Sequence, residues 1–188
     1  ARPREQQIAQ AVVESGYIGI SINYTLAPSA DAVASTMPTI VRDCKRAVLW
    51  LRSEGLNYGV DPNRIGAIGA SAGGWLALCL GLTAGNKDYD PEGDGRTDVR
   101  SVVNMYGTSD PWSESISSAS PPILTLHGSE DEINPVRHAH ALDEAASRVG
   151  ANHQLILVDG AGHSLKLLSE KWDCRPDVTL FLDTHLKA

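Results

Sequence analysis

Apolar residues recur along the chain with two alternating periods. At Ile40, Val41, Cys44, Ala47, Val48 and Leu51 they return every three or four positions, which lines one face of a helix. This predicts a helix from Met37 to Glu54, with Gly55 as its stop. Helices are likewise expected over 4–15, ended by Gly16, over Pro135–Val149 and over Pro176–Leu186. Between them lie short, largely apolar runs of strand length: Tyr17–Asn23, Arg64–Gly69, Val99–Tyr106, Ile123–His127 and His153–Val158. Ala27-Pro28 closes the first of these, and Asp61-Pro62-Asn63 makes a turn into the second. The segment after Ser71 is apolar on nearly every side, so its helix belongs in the middle of the molecule. Strands that are apolar throughout and alternate with helices imply a mostly parallel sheet with helices on both faces, a three-layer α/β fold. Repeats, low-complexity tracts and long linkers are not visible, and residues 1–188 are read as a single domain.

Composition narrows the partners more than the fold. A length of 188 residues, 42% hydrophobic and 21% charged, suits a globular domain with a sizeable core. The net charge of −7, from 16 basic and 23 acidic residues, argues against nucleic acid or an anionic membrane surface as the main partner. The longest apolar run, near Trp75–Leu80, is far too short to span a bilayer. Cys44, Cys79 and Cys174 are widely spaced and odd in number, which fits neither a disulfide framework nor a metal cluster; Cys44 and Cys79 are expected as buried thiols. No leader pattern is visible at the start and Ala1 is not an initiator, so the compartment stays open.

Candidate chemistry gathers at the carboxyl ends of three strands, where such sheets place their sites. Gly69-Ala70-Ser71-Ala72-Gly73 links an apolar strand directly to an apolar helix. A serine at the tip of so sharp a turn is forced toward positive φ, and small neighbours remove the clashes. Asp131 follows the strand ending at His127, and His163 follows the strand ending at Val158, within Gly160-Ala161-Gly162-His163. A serine hydroxyl is a weak nucleophile until a neutral imidazole takes its proton, and that imidazole needs a carboxylate to fix its tautomer. Glu130 and Glu132 compete with Asp131 but read as solvated loop charges, and none of the other five histidines sits in a glycine-rich loop after the last strand. His127 is a candidate lining residue, and His185 sits at a helix C-terminus, where a cation is favoured. Gly73 and Gly74 are expected to let the helix approach the sheet. Ala70, Trp112 and Ile133 are candidate pocket positions, with Trp112 equally readable as loop packing. The acidic loop 88–98 resembles a calcium loop in spacing, but Ser101 stands where a bidentate Glu is needed, so a solvated surface loop is expected and no metal or cofactor is implied.

The order Ser…Asp…His resembles that of the α/β-hydrolase superfamily. Further matching stretches are Asn23-Tyr24-Thr25-Leu26-Ala27-Pro28, Asp61-Pro62-Asn63-Arg64-Ile65, Gly74 after the serine motif, Tyr106-Gly107-Thr108-Ser109-Asp110, His127-Gly128 with Asn134-Pro135, and the His163 loop. Together they resemble the carboxylesterase and acetyl-esterase, hormone-sensitive-lipase-like branch. That resemblance implies Ser71 as nucleophile, His163 as base, Asp131 as orienting acid and the Ala72 N–H as one oxyanion donor. It implies hydrolysis of short-chain acyl esters, acetylated carbohydrates among them, through an acyl-enzyme. A prolyl-oligopeptidase-like peptidase shares the triad order, and a weakly active or non-catalytic fragment is the alternative from another class. Thr25 and Trp75 depart from the branch, which usually has Arg and often His there. The His-Gly-Gly-Gly loop that completes the branch's oxyanion hole does not occur in this sequence. The branch places the strand feeding that loop between those expected at 17–23 and 64–69, so a missing N-terminal segment or a second chain is expected to supply it.

Overall fold

A computed structural model describes residues 3–90 and 96–187 of the chain. Four strands, β1 (Gly66–Ala70), β2 (Ser101–Met105), β3 (Ile123–Gly128) and β4 (His153–Val158), form one sheet in the order β1-β2-β3-β4, every pair parallel. Around it run α1 (Pro3–Glu14), α2 (Val33–Glu54), α3 (Ala72–Leu82), α4 (Arg137–Val149) and α5 (Arg175–Leu186). The pleat divides the core in two. Val102 and Ile123 turn toward Val41, Leu78 and Leu142 on α2, α3 and α4, while Val103 and Leu124 turn toward Ile8, Val12, Phe181 and Leu182 on α1 and α5. Every residue of β2 and β3 is buried, the polar Ser101, Asn104, Thr125 and His127 included, so neither strand alternates between core and solvent.

The helices expected from spacing are present, and the largest boundary change is at α2. It starts at Val33, four residues before Met37, and carries Pro38 in its second turn. The hydroxyls of Ser35 and Thr36 both donate to the Ala32 carbonyl, which ties the early turn together. α3 is buried from Leu76 to Leu80, as an all-round apolar pattern requires.

The run Tyr17–Asn23 is a correction. It is not a strand of the sheet: no backbone hydrogen bond joins 18–23 to another strand among the described residues. Instead it passes along α1, with Gly19 so close that a Cβ there would stand 3.0 Å from the Ala9 carbonyl oxygen. Ile18 and Ile20 are exposed. Among the described residues β1 pairs only with β2, which leaves its other edge unpaired at the side of the sheet that carries Ser71.

Residues 91–95 of the acidic loop lie outside the described residues. Asp90 is nevertheless buried and accepts from the Thr97 hydroxyl and the Gly85 N–H, so it is a structural anchor rather than a solvated charge. Lys45 lies fully buried beside it, donating to the Thr83 carbonyl at 2.9 Å and to Thr97 Oγ1 at 3.2 Å. Burial holds the Lys45 ammonium below its ordinary value. Among the described residues no group of acidic, histidine and cysteine side chains could hold a metal ion, and no helix is long and apolar enough to cross a membrane.

Candidate active site

Ser71 caps α3 with φ 56°, ψ −120°. Its N–H donates to the Met105 carbonyl at 2.9 Å and its carbonyl accepts from the Trp75 N–H, so both sides of the strained residue are held by backbone. Gly69 makes the turn possible: a Cβ there would lie 2.1 Å from the Gly73 carbonyl oxygen. Gly74 is equally constrained, with Asn104 Oδ1 2.4 Å from where its Cβ would stand, so it is the packing device expected. Gly73 is not: a Cβ there meets nothing within 4 Å, and what matters at that position is the backbone that faces Gly69.

The two partner side chains arrive on loops pressed together. A Cβ on Gly128 would sit 2.1 Å from the Ala161 carbonyl oxygen, and the Glu130 N–H donates to that same carbonyl at 3.0 Å. The loop after β3 is thereby fastened to the loop after β4. Ser71 Oγ lies 2.8 Å from His163 Nε2, and His163 Nδ1 lies 3.0 and 3.1 Å from the two Asp131 oxygens. The Asp131 side chain is fully buried, whereas Glu130 and Glu132 are exposed. Its Oδ1 also accepts from the N–H groups of Ile133 and Asn134, at 2.9 and 2.8 Å. With acceptors on the carboxylate side, His163 carries its proton on Nδ1 and leaves Nε2 free to accept from Ser71. Ala72 is the first residue of α3, and its N–H belongs to the donors that a helix leaves without an internal acceptor.

Two neighbours support the relay, and for neither did the sequence indicate the part it plays. Tyr106, with φ 42°, stands edge-on to the His163 ring at 5.1 Å between centroids. Its strained backbone is held by its own N–H to the Leu126 carbonyl and by Asn134 Nδ2 donating to its carbonyl. His127 is buried against the Asp131 loop, with Nε2 2.7 Å from the Asn134 carbonyl oxygen, rather than lining a surface. Desolvation lowers its pKa. A nonglycine residue at positive φ leaves no trace in sequence, but a histidine closing an otherwise apolar strand is a readable signal.

The candidate pocket positions separate. Ile133 is exposed beside Asp131, and Ala70 is half-buried beside Ser71. Trp112 is 2% exposed, its ring packed on Trp75 and Tyr89 at 4.7 and 5.5 Å, so it fills the core under the 106–112 loop and walls no pocket. A cleft of about 400 Å³ lined by Leu82, Val99, Arg100, Ser117 and Pro121 lies at the other end of the strands, remote from Ser71. His185 also departs from expectation. Burial, and then Arg100, lower its pKa, so its surroundings as a whole disfavour the cation.

A serine held at positive φ between a parallel strand and a buried helix, answered by an acid and an imidazole from the loops after the next strands, defines the α/β-hydrolase class. Within that class the chain belongs to the BD-FAE family, whose profile matches residues 2–115. It is 28% identical over 201 residues to Esterase LipC of Mycobacterium tuberculosis, covering 86% of this chain and 48% of that protein. Esterase LipQ of the same organism is 28% identical over 185 residues, covering 80% and 43%. The chain thus spans about half the length of these relatives. Among solved structures, a truncated form of a carbohydrate esterase from gut microbiota superposes with a TM-score of 0.83 at 21% identity, covering 97% of this chain and 79% of that one. An acetyl ester-xyloside bifunctional hydrolase from Caldicellulosiruptor lactoaceticus gives 0.76 at 23% identity, covering 94% and 75%. These last two likenesses establish the shared three-layer fold.

Proposed function

We propose that this chain is the catalytic part of a serine carboxyl-ester hydrolase acting on short-chain acyl esters. The observation that carries the reading is the continuous relay from Ser71 Oγ through His163 to the buried Asp131 carboxylate. As Ser71 attacks the ester carbonyl, His163 Nε2 takes its proton and later delivers it to the departing alcohol. Water, deprotonated by the same nitrogen, then releases the acid from the acyl-enzyme. Asp131 holds the ring in the required tautomer and offsets the imidazolium charge. The Ala72 N–H stabilises the developing oxyanion. Relatives named as esterases, together with a carbohydrate esterase and an acetyl ester-xyloside hydrolase among the structural neighbours, support small acyl esters, acetylated carbohydrates included, as substrates.

Catalysis of this kind uses at least two oxyanion donors, and losing one costs about 10²–10³ in rate. The second is supplied by a strand that pairs with the outer edge of β1, between it and residues 17–23, and ends in a glycine-rich turn beside Ser71. That strand comes from the same gene product or from a second chain. That β1 and residues 17–23 are not paired with each other among the described residues supports this reading.

A fluorophosphonate probe tests the nucleophile. It is expected to label Ser71 stoichiometrically, and Ser71→Ala to abolish the labelling; a label on another serine with Ser71 unmodified would overturn the assignment. In the complete enzyme p-nitrophenyl acetate or butyrate should turn over faster than the laurate ester, and the reverse order would count against small acyl groups.

A further inference from the structure

His127 belongs to no part of the relay, yet it is fully buried immediately behind it. Its Nε2 is 2.7 Å from the Asn134 carbonyl oxygen and 3.6 Å from Asp131 Oδ2. A carbonyl can only accept, so the proton must be on Nε2. Nδ1 is buried with no hydrogen-bond partner among the described residues, and a second proton there would have no acceptor. The ring is therefore a neutral donor of fixed tautomer.

The segment it holds is the one that aims the acid. Residues 131–134 form a tight turn in which the backbone N–H groups of Ile133 and Asn134 both close onto Asp131 Oδ1. Asn134 is fixed at two points, by its carbonyl on His127 and by its side chain on the Tyr106 carbonyl, and Tyr106 in turn flanks the His163 ring. Without the His127 donor a buried carbonyl loses its partner and the turn loses one of its two anchors, leaving the carboxylate free to rotate away from His163 Nδ1.

We propose that His127 is a positioning residue for the relay: as a neutral Nε2–H donor to Asn134 it holds the 131–134 turn so that Asp131 faces His163. This rests on the hydrolase reading above. Its neutrality matters as much as its bond, because a cation at this place would compete with the His163 imidazolium for the same carboxylate.

The test uses ring NMR together with probe labelling on the 188-residue chain. Long-range ¹H–¹⁵N spectra at neutral pH are expected to show His127 as the Nε2–H tautomer, and an Nδ1–H tautomer would overturn the proposal. The His163 Nδ1 proton on Asp131 is expected at low field in the parent; its absence there also overturns it. His127→Leu should shift that proton upfield and slow fluorophosphonate labelling of Ser71 by about tenfold to a hundredfold. His127→Gln, whose amide can donate from near the Nε2 position, should retain the resonance and label within about fivefold of the parent. Should the leucine variant fail to fold, His127→Asn, whose shorter amide does not reach Asn134, takes its place with the same expected loss. If both signals in the folded removal variant match the parent, or if the folded glutamine variant loses them as fully, His127 merely fills space and the proposal falls. A parent that shows the low-field proton but is not labelled at Ser71 defeats the hydrolase reading, and the resonance alone then decides the positioning role.

Discussion

At the scale of single residues, one loop offers three acids and burial separates them. Asp131 is enclosed and bound by three donors, while Glu130 and Glu132 stand in water one position either side. Asp131→Asn should lower kcat by about four orders of magnitude, because the amide favours the wrong histidine tautomer. Glu130→Gln or Glu132→Gln should cost less than about tenfold; a larger loss at either would move the catalytic acid. The glycines make a second contrast. Gly69→Ala forces a methyl onto the Gly73 carbonyl and should destabilise the fold by about 1–3 kcal/mol in chemical denaturation, whereas Gly73→Ala, with open space at that point, should be neutral or slightly stabilising. Equal losses from both would refute the close-approach account. The serine motif, the strand ends and the glycine-rich loop pointed to Ser71, Asp131 and His163, and the structure brings these three side chains within hydrogen-bond reach. What sequence could not show is which of two motif glycines is sterically obligatory, because that depends on the path of the backbone opposite.

At the scale of elements, the helices and four of the five strands could be read from their patterns, because amphipathic spacing and apolar runs are local properties. Residues 17–23 show the limit. Their β-branched apolar composition is that of a strand, but a strand exists only by pairing, and what lies beside it is not written in the segment itself. The outcome here is an irregular run against α1 and, among the described residues, an unpaired edge on β1. Trp112 failed as a pocket residue for a similar reason: its burial depends on Trp75 and Tyr89, which come from other parts of the chain. If a strand with a glycine-rich turn completes the sheet, the 188-residue chain alone should turn over esters weakly, and adding the completing segment should raise kcat by about 10²–10³. Near-normal turnover by the chain by itself would refute the gap.

For the whole molecule, buried histidines link stability to acidity. Desolvation lowers the pKa of both His127 and His153, the latter held by Asp143 at 2.8 Å and Thr125 at 2.9 Å. Their unfolded forms bind protons more readily, so the contribution is complete above the ordinary value of 6.5 and is lost as pH falls below it toward the lowered folded values. Tm should therefore fall between about pH 7 and pH 5. His153→Gln should flatten that slope, and an unchanged slope would remove His153 from the account. The depressed carboxylates Asp43, Asp61 and Asp183 act in the same direction, but below their ordinary 3.8 and hence outside this window. The thiols carry a consequence of another kind. Cys44 and Cys79, pushed up to about 12 and about 11, lie in the core on the α2–α3 side of the sheet, and Cys174, also raised, lies in the core on the α1–α5 side. None can meet a disulfide reagent until its own half of the interior opens. The rates at which the three are modified thus form a pair of internal clocks, one for each side of the sheet, and their ratio tells which face of this molecule breathes first.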